Sequence, residues 1–127
     1  MQFPRDLGSH PDFSLEWWYL TGHLRADSAA GAGEREFGFQ LTFFRSRVAA
    51  TQGMSSAFAA KQLIFAHAAV TDVASKKLWH DQRIAREGFG VAQASQKDTT
   101  ITLRDWSLHR SATHYQAVVA ASGFAFQ

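Results

Sequence analysis

The stretch Glu34 to Arg45, EREFGFQLTFFR, alternates apolar with small or polar residues more strictly than any other part of the 127-residue chain. On an extended backbone Phe37, Phe39, Leu41, Phe43 and Arg45 share one side, and Gly38, Gln40, Thr42 and Phe44 share the other. A period of two belongs to a strand with one face buried. The greasy face ends in a guanidinium, which needs an acceptor wherever it is buried.

The run before it, Ser14 to Arg25, is rich in aromatic and β-favouring residues and reads as a second long strand. Its parity puts Glu16, Trp18, Leu20 and Gly22 on one face and Trp17, Tyr19, Thr21 and His23 on the other. Asp27 to Gly33, DSAAGAG, fits the tip of a hairpin joining the two strands. Ahead of them, residues 1–13 read as an extended lead-in, because Pro4 and Pro11 push their predecessors out of the helical region.

Downstream, Ser46 to Ala60 follows neither period and suits a lid or a short helix. Lys61 to Val73 resumes strand character. Leu63, Phe65, His67, Ala69 and Thr71 lie on one side, with Ile64, Ala66, Ala68, Val70 and Asp72 on the other. Short strand-like runs follow at Lys77–His80, Gly90–Ala94, Thr99–Leu103, Trp106–Arg110 and Tyr115–Ala121, and Gly123 to Gln127 alternates like the start of another. Frequent turns without a periodic helix predict an all-β, antiparallel sandwich or barrel. The final alternation suggests that residues 1–127 are most of one domain rather than all of it.

Composition removes several function classes. There is no cysteine, so disulfides, thiolate metal sites and a cysteine nucleophile are excluded, while the compartment stays open. The net charge is +2, with acids scattered among the bases, so the clustering that a nucleic-acid surface needs is missing. No apolar run is long enough for a membrane helix, and Met1 to Asp6 contains no signal-peptide core. The chain is therefore expected to be cytoplasmic, or periplasmic or secreted if a leader was removed. Neither a P-loop, a Gly-x-Ser-x-Gly elbow nor His-Glu-x-x-His occurs, and no metal or cofactor is expected.

Eleven Phe, four Trp and two Tyr suit either a packed core or a cavity for an apolar ligand. Three ionisable residues, Glu16, Arg45 and His67, each share a strand face with large apolar side chains. If those faces converge, they make a polar spot in an aromatic pocket, with Glu16 and His67 as candidate acid and base. Trp17, Trp18, Tyr19, Phe39, Phe43 and Arg45 are the candidate ligand contacts. A Glu16–Arg45 pair serving structure alone, and a core histidine at 67, explain the same residues. His10, Asp12 and Glu16 carry ligand-type side chains, but a capping or turn role for Asp12, with His10 packed on an aromatic ring, fits them better than a metal.

The motifs Phe3-Pro4-Arg5-Asp6, Gly8-Ser9-His10-Pro11-Asp12-Phe13, Glu16-Trp17-Trp18-Tyr19, Thr21-Gly22 and Gly38-Phe39-Gln40-Leu41-Thr42-Phe43-Phe44-Arg45 resemble the opening of the AttH-like and carotenoid-hydratase family. His67 to Asp72 and Asp105-Trp106 are similar to its next blocks, whereas Leu7 stands where that family usually has a histidine. The resemblance implies a calycin-type fold with two lipocalin-like barrels, of which this chain would be most of the first. It also implies a lipophilic small molecule and a second lipocalin-like domain as partners. The activities it suggests are cofactor-free hydration of an isoprenoid double bond or a hydrolase reaction. A carrier without chemistry, or a domain that only packs on its neighbour, fits the resemblance too.

Overall fold

The computed structural model describes residues 1–27 and 34–127. The expected hairpin tip lies mostly outside the described residues. Nine strands are described in chain order: β1 (Leu15–Asp27), β2 (Glu34–Arg47), β3 (Gln62–Asp72), β4 (Lys77–Arg86), β5 (Ala92–Ala94), β6 (Thr100–Leu103), β7 (Trp106–Ser111), β8 (His114–Ala120) and β9 (Ala125–Phe126). They form two antiparallel sheets, ordered β1-β2-β3-β4 and β5-β6-β7-β8-β9. The all-β, antiparallel expectation holds, in its sandwich form.

β1 and β2 pair with Trp18 opposite Phe43 and Glu16 opposite Arg45. β3 adds its row with Phe43 opposite Ala66. Leu41, Phe43, Ile64, Ala66 and Ala68 turn inward and are fully buried, as the alternation in β2 and β3 requires. The two alanines keep this face of β3 low, and the second sheet packs across β3 and β4 with Ile101, Leu103, Trp106, Leu108 and Val119. Trp106 is completely buried, and its indole N–H donates to the Ala120 carbonyl at 2.8 Å.

Two expectations change. The lead-in contains a 3-10 turn at Arg5–Leu7 and a chain of tight turns rather than an extended segment, and β4 runs to Arg86 instead of ending at His80. β4 was hard to see because Asp81 and Arg83 occupy its inward positions. There Asp81 pairs with Arg83 at 2.8 Å and the Arg83 guanidinium stacks 4.9 Å from the Trp106 ring. Ser46 to Ala60 holds a single 3-10 turn, Ala49–Thr51, among other turns.

Asp72 closes the β3–β4 turn. The Ser75 hydroxyl, the buried setting's Arg35 partner and the Ser75 amide hold its pKa down at about 2 against burial, which pushes the other way. A carboxyl depressed in the fold stabilises it above the unfolded value of about 3.9, and that contribution disappears as pH falls through about 2. Asp72→Asn is therefore expected to flatten the acid limb of the stability curve between about pH 4 and 2. Urea unfolding at stepped pH checks this; an acid limb identical to the parent's would remove the role given to Asp72.

Candidate functional site

The first sheet is not closed against the second along β1. The sheets meet through β3 and β4, and the residues before β1 cross the open end as a strap. The Leu7 carbonyl accepts from the Trp18 indole at 3.1 Å and from the Thr99 hydroxyl at 2.9 Å, which ties the strap to both sheets at once. Ser9 follows, with its amide on the Ser95 carbonyl at 2.7 Å and its hydroxyl on the Ala94 carbonyl at 3.0 Å. Between them Gly8 lies so close to Gln96 that an added Cβ would stand 2.7 Å from a backbone carbon, so only glycine fits.

Arg45 anchors the other end of the strap. It is 1% exposed, and each of its five N–H groups has an acceptor. Nε donates to Glu16 at 2.7 Å; one terminal nitrogen reaches the Gln62 amide oxygen at 2.5 Å and Pro11 O at 3.4 Å; the other reaches His10 O at 2.9 Å and Phe13 O at 2.8 Å. Three strap carbonyls thus converge on one guanidinium: Phe13 O depends on it, whereas Pro11 O also accepts from Gln62 Nε2 at 3.1 Å and His10 O from the Phe13 amide at 2.9 Å.

Glu16 is filled from two sides. The His10 amide donates to both of its oxygens at 2.9 and 2.8 Å, and His10 Nδ1 lies 2.6 Å from Oε1. A carboxylate can only accept, so Nδ1 carries the proton of this bond. Nε2 stands 3.6 Å from Asp6 Oδ1, and the imidazole stacks on Phe13 with ring centroids 5.1 Å apart. The Gln2 amide, donating at 2.6 Å, holds the Asp6 carboxyl below the usual range.

Where β1 and the second sheet part, the molecule has an open cleft of about 620 Å3. The strap floors it with Leu7, His10 and Phe13, while Trp18 and Leu20 line the β1 side and Leu108 and Tyr115 the other. Tyr115 has the inward parity of Ala117 and Val119 yet is 48% exposed, because no strand covers it. The cleft is apolar along its length, and its ionisable groups, Asp6, His10 and Glu16, collect at the strap end.

The residues singled out from the sequence separate into three places. Glu16 and Arg45 meet, as their parity suggested, and Trp18 adjoins them. Phe43 and Arg45 are buried, and Phe39 packs on Phe126 at 5.8 Å, away from the cleft. Trp17 and Tyr19 border the cleft from the free edge of β1, with Trp17 63% exposed. His67 lies on the outer face of the first sheet, exposed, with its ring edge-on to Phe44 at 5.6 Å. The convergence of Glu16, Arg45 and His67 is therefore incomplete: the sheet stands between His67 and the other two. His10 packs on an aromatic ring as read, but its bond to Glu16 was not visible. Only the His-to-Glu spacing hinted at it.

A sequence model described as AttH-like matches residues 1–127. The chain belongs to the AttH-like family. A crystal structure provisionally assigned as an AttH protein from Nitrosomonas europaea is similar to this AttH-like chain, with 40% identity and a TM-score of 0.73. The match covers 96% of this chain and 34% of that one, so the chain spans about a third of the length of that relative. No protein of curated function matches. Among the described residues no helix is long and apolar enough to cross a membrane.

Proposed function

We propose that this AttH-like chain forms one side of a binding site for a lipophilic small molecule, held in the cleft between β1 and the second sheet. The observation that carries this reading is the half-exposed Tyr115, an inward-facing aromatic opposite Trp18 and Leu20 in a cleft of about 620 Å3. A sandwich built only for stability would bury such a ring. The family resemblance supports the same ligand class and adds a catalytic form of it, cofactor-free hydration of an isoprenoid double bond. In that form a substrate in the cleft would meet Glu16 through His10, whereas His67 would serve a molecule on the other face of the sheet.

The test is a titration with the fluorescent apolar probe N-phenyl-1-naphthylamine. Saturable binding is expected, and Leu20→Ser combined with Tyr115→Ser should weaken it about tenfold, since each removes a large apolar contact. Both positions are partly exposed, so urea unfolding should shift little. Unchanged affinity in the double variant would refute the cleft as the site.

A second reading has its own observation. Trp17, Phe44, Phe65 and Ile84 form one rung across the outer face of the first sheet, and Ile84 is 62% exposed. An apolar row of this kind marks a contact surface, which supports packing against a second lipocalin-like domain in longer relatives.

A further inference from the structure

Phe58 and Phe89 come from different loops, between β2 and β3 and between β4 and β5, and they stack with ring centroids 5.7 Å apart. The contact buries neither of them: Phe58 is 73% exposed and Phe89 60%. The Arg86 guanidinium lies 4.3 Å from the Phe89 ring and 5.8 Å from that of Phe58, and it donates to the Phe58 carbonyl at 2.5 Å. The turn that carries Phe89 is unusual. Gly88, Phe89 and Gly90 have φ of +107°, +57° and +71°, a run that glycines adopt freely and a bulky aromatic does not. The backbone is thus held in a disfavoured form that presents a ring to solvent. Exposed apolar residues scattered singly are ordinary, whereas a strained pair clasped by a guanidinium marks a contact surface.

We propose that this end of the molecule docks on an anionic lipid surface, with Phe58 and Phe89 entering the headgroup layer. The charges around the rings decide the kind of partner. Residues 48–60 contain no charged side chain, and Met54, 51% exposed, extends their apolar surface. Arg47 and Lys61 bracket that loop, whose ends are joined by the Val48 amide on the Lys61 carbonyl at 2.9 Å. Arg104, in the β6–β7 turn, is brought beside the Phe89 turn by its amide on the Val91 carbonyl at 2.8 Å. With Arg86 these make four bases, none of them ion-paired among the described residues. The acids on the same three loops are Glu87 and Asp105, and the Glu87 carboxylate accepts from the Ala94 amide at 3.4 Å. An uncharged apolar centre with a basic rim suits negatively charged lipid: the rings bury among the upper acyl chains while the bases gather phosphates. Docking here does not depend on the cleft holding a ligand, since none of these residues lines it.

Sedimentation of the chain with sucrose-loaded vesicles tests this. Vesicles of phosphatidylcholine with about a third phosphatidylglycerol are expected to bind it at least about tenfold more tightly than phosphatidylcholine alone, and the preference should shrink as salt is raised. Phe58→Ser with Phe89→Asn, the asparagine being a residue that tolerates positive φ, should lower the anionic partition at least about fivefold. Lys61→Glu with Arg104→Glu should abolish the preference for anionic vesicles. All of these side chains are exposed, so urea unfolding and naphthylamine binding should stay as in the parent. Failure to sediment with anionic vesicles, or a partition unchanged by loss of the two rings, would overturn the docking and leave the cleft reading intact.

Discussion

Replacing Arg45 with Met should cost about 3–5 kcal/mol of stability, a large part of what a domain of this size has. The side chain is fully enclosed and donates to five acceptors, so its removal leaves the Glu16 carboxylate without its arginine and the Phe13 carbonyl without its donor, while Pro11 O keeps Gln62 and His10 O keeps the Phe13 amide. The loss comes from orphaned partners more than from the ion pair itself, since a buried pair contributes little against a well-packed apolar replacement. That distinction is measurable. Glu16→Gln placed on top of Arg45→Met should recover part of the loss, because it removes the unpaired charge. Urea unfolding of the two single variants and the double variant gives the cycle. Strict additivity would mean that Glu16 and Arg45 do not depend on each other.

The second large effect is at Trp106. Truncation to Ala should destabilise by about 3–5 kcal/mol through lost burial and the cavity left behind. The indole is wholly buried, bonds the Ala120 carbonyl at 2.8 Å and carries the Arg83 guanidinium on its face at 4.9 Å. Trp106→Phe keeps most of the volume and loses only the indole bond, the Ala120 carbonyl still being reached by the Arg83 guanidinium at 3.3 Å, so it should cost clearly less, about 0.5–1.5 kcal/mol. Two variants equally destabilised would show that the cavity does not matter at this position. The two sites divide the fold: Arg45 holds the strap to the first sheet, and Trp106 holds the second sheet together.

How far the sequence foretold this differs from residue to residue. Period two in Glu34 to Arg45 set the inward row of β2, and parity in Ser14 to Arg25 put Glu16 on the matching side. The hairpin register then brings Glu16 opposite Arg45, so that pair was legible from local pattern alone. β4 was not, because Asp81 and Arg83 occupy inward positions and interrupt the alternation; their burial is repaired by each other and by the Trp106 ring. The strap escaped for a different reason. Its path is fixed by Thr99, Ser95 and Arg45, tens of residues away, and short turns carry no periodic signal of such partners. His10 becomes a cleft residue only through that path. His67 shows the limit of parity: its face was assigned correctly beside Phe65, but strand pattern does not say which of two apolar faces is covered.

The cleft along β1 is the claim on which the functional reading depends, and photolabelling tests it most directly. A diazirine-bearing long-chain alcohol should be cross-linked to this chain and the modified peptides mapped by mass spectrometry. Label is expected on the strap around Leu7 to Phe13, on Trp18 to Leu20 and on Leu108 or Tyr115, and excess decanol should compete it away. Label confined to Phe44, Phe65 and Ile84 on the outer face, with none in the cleft, would contradict the account.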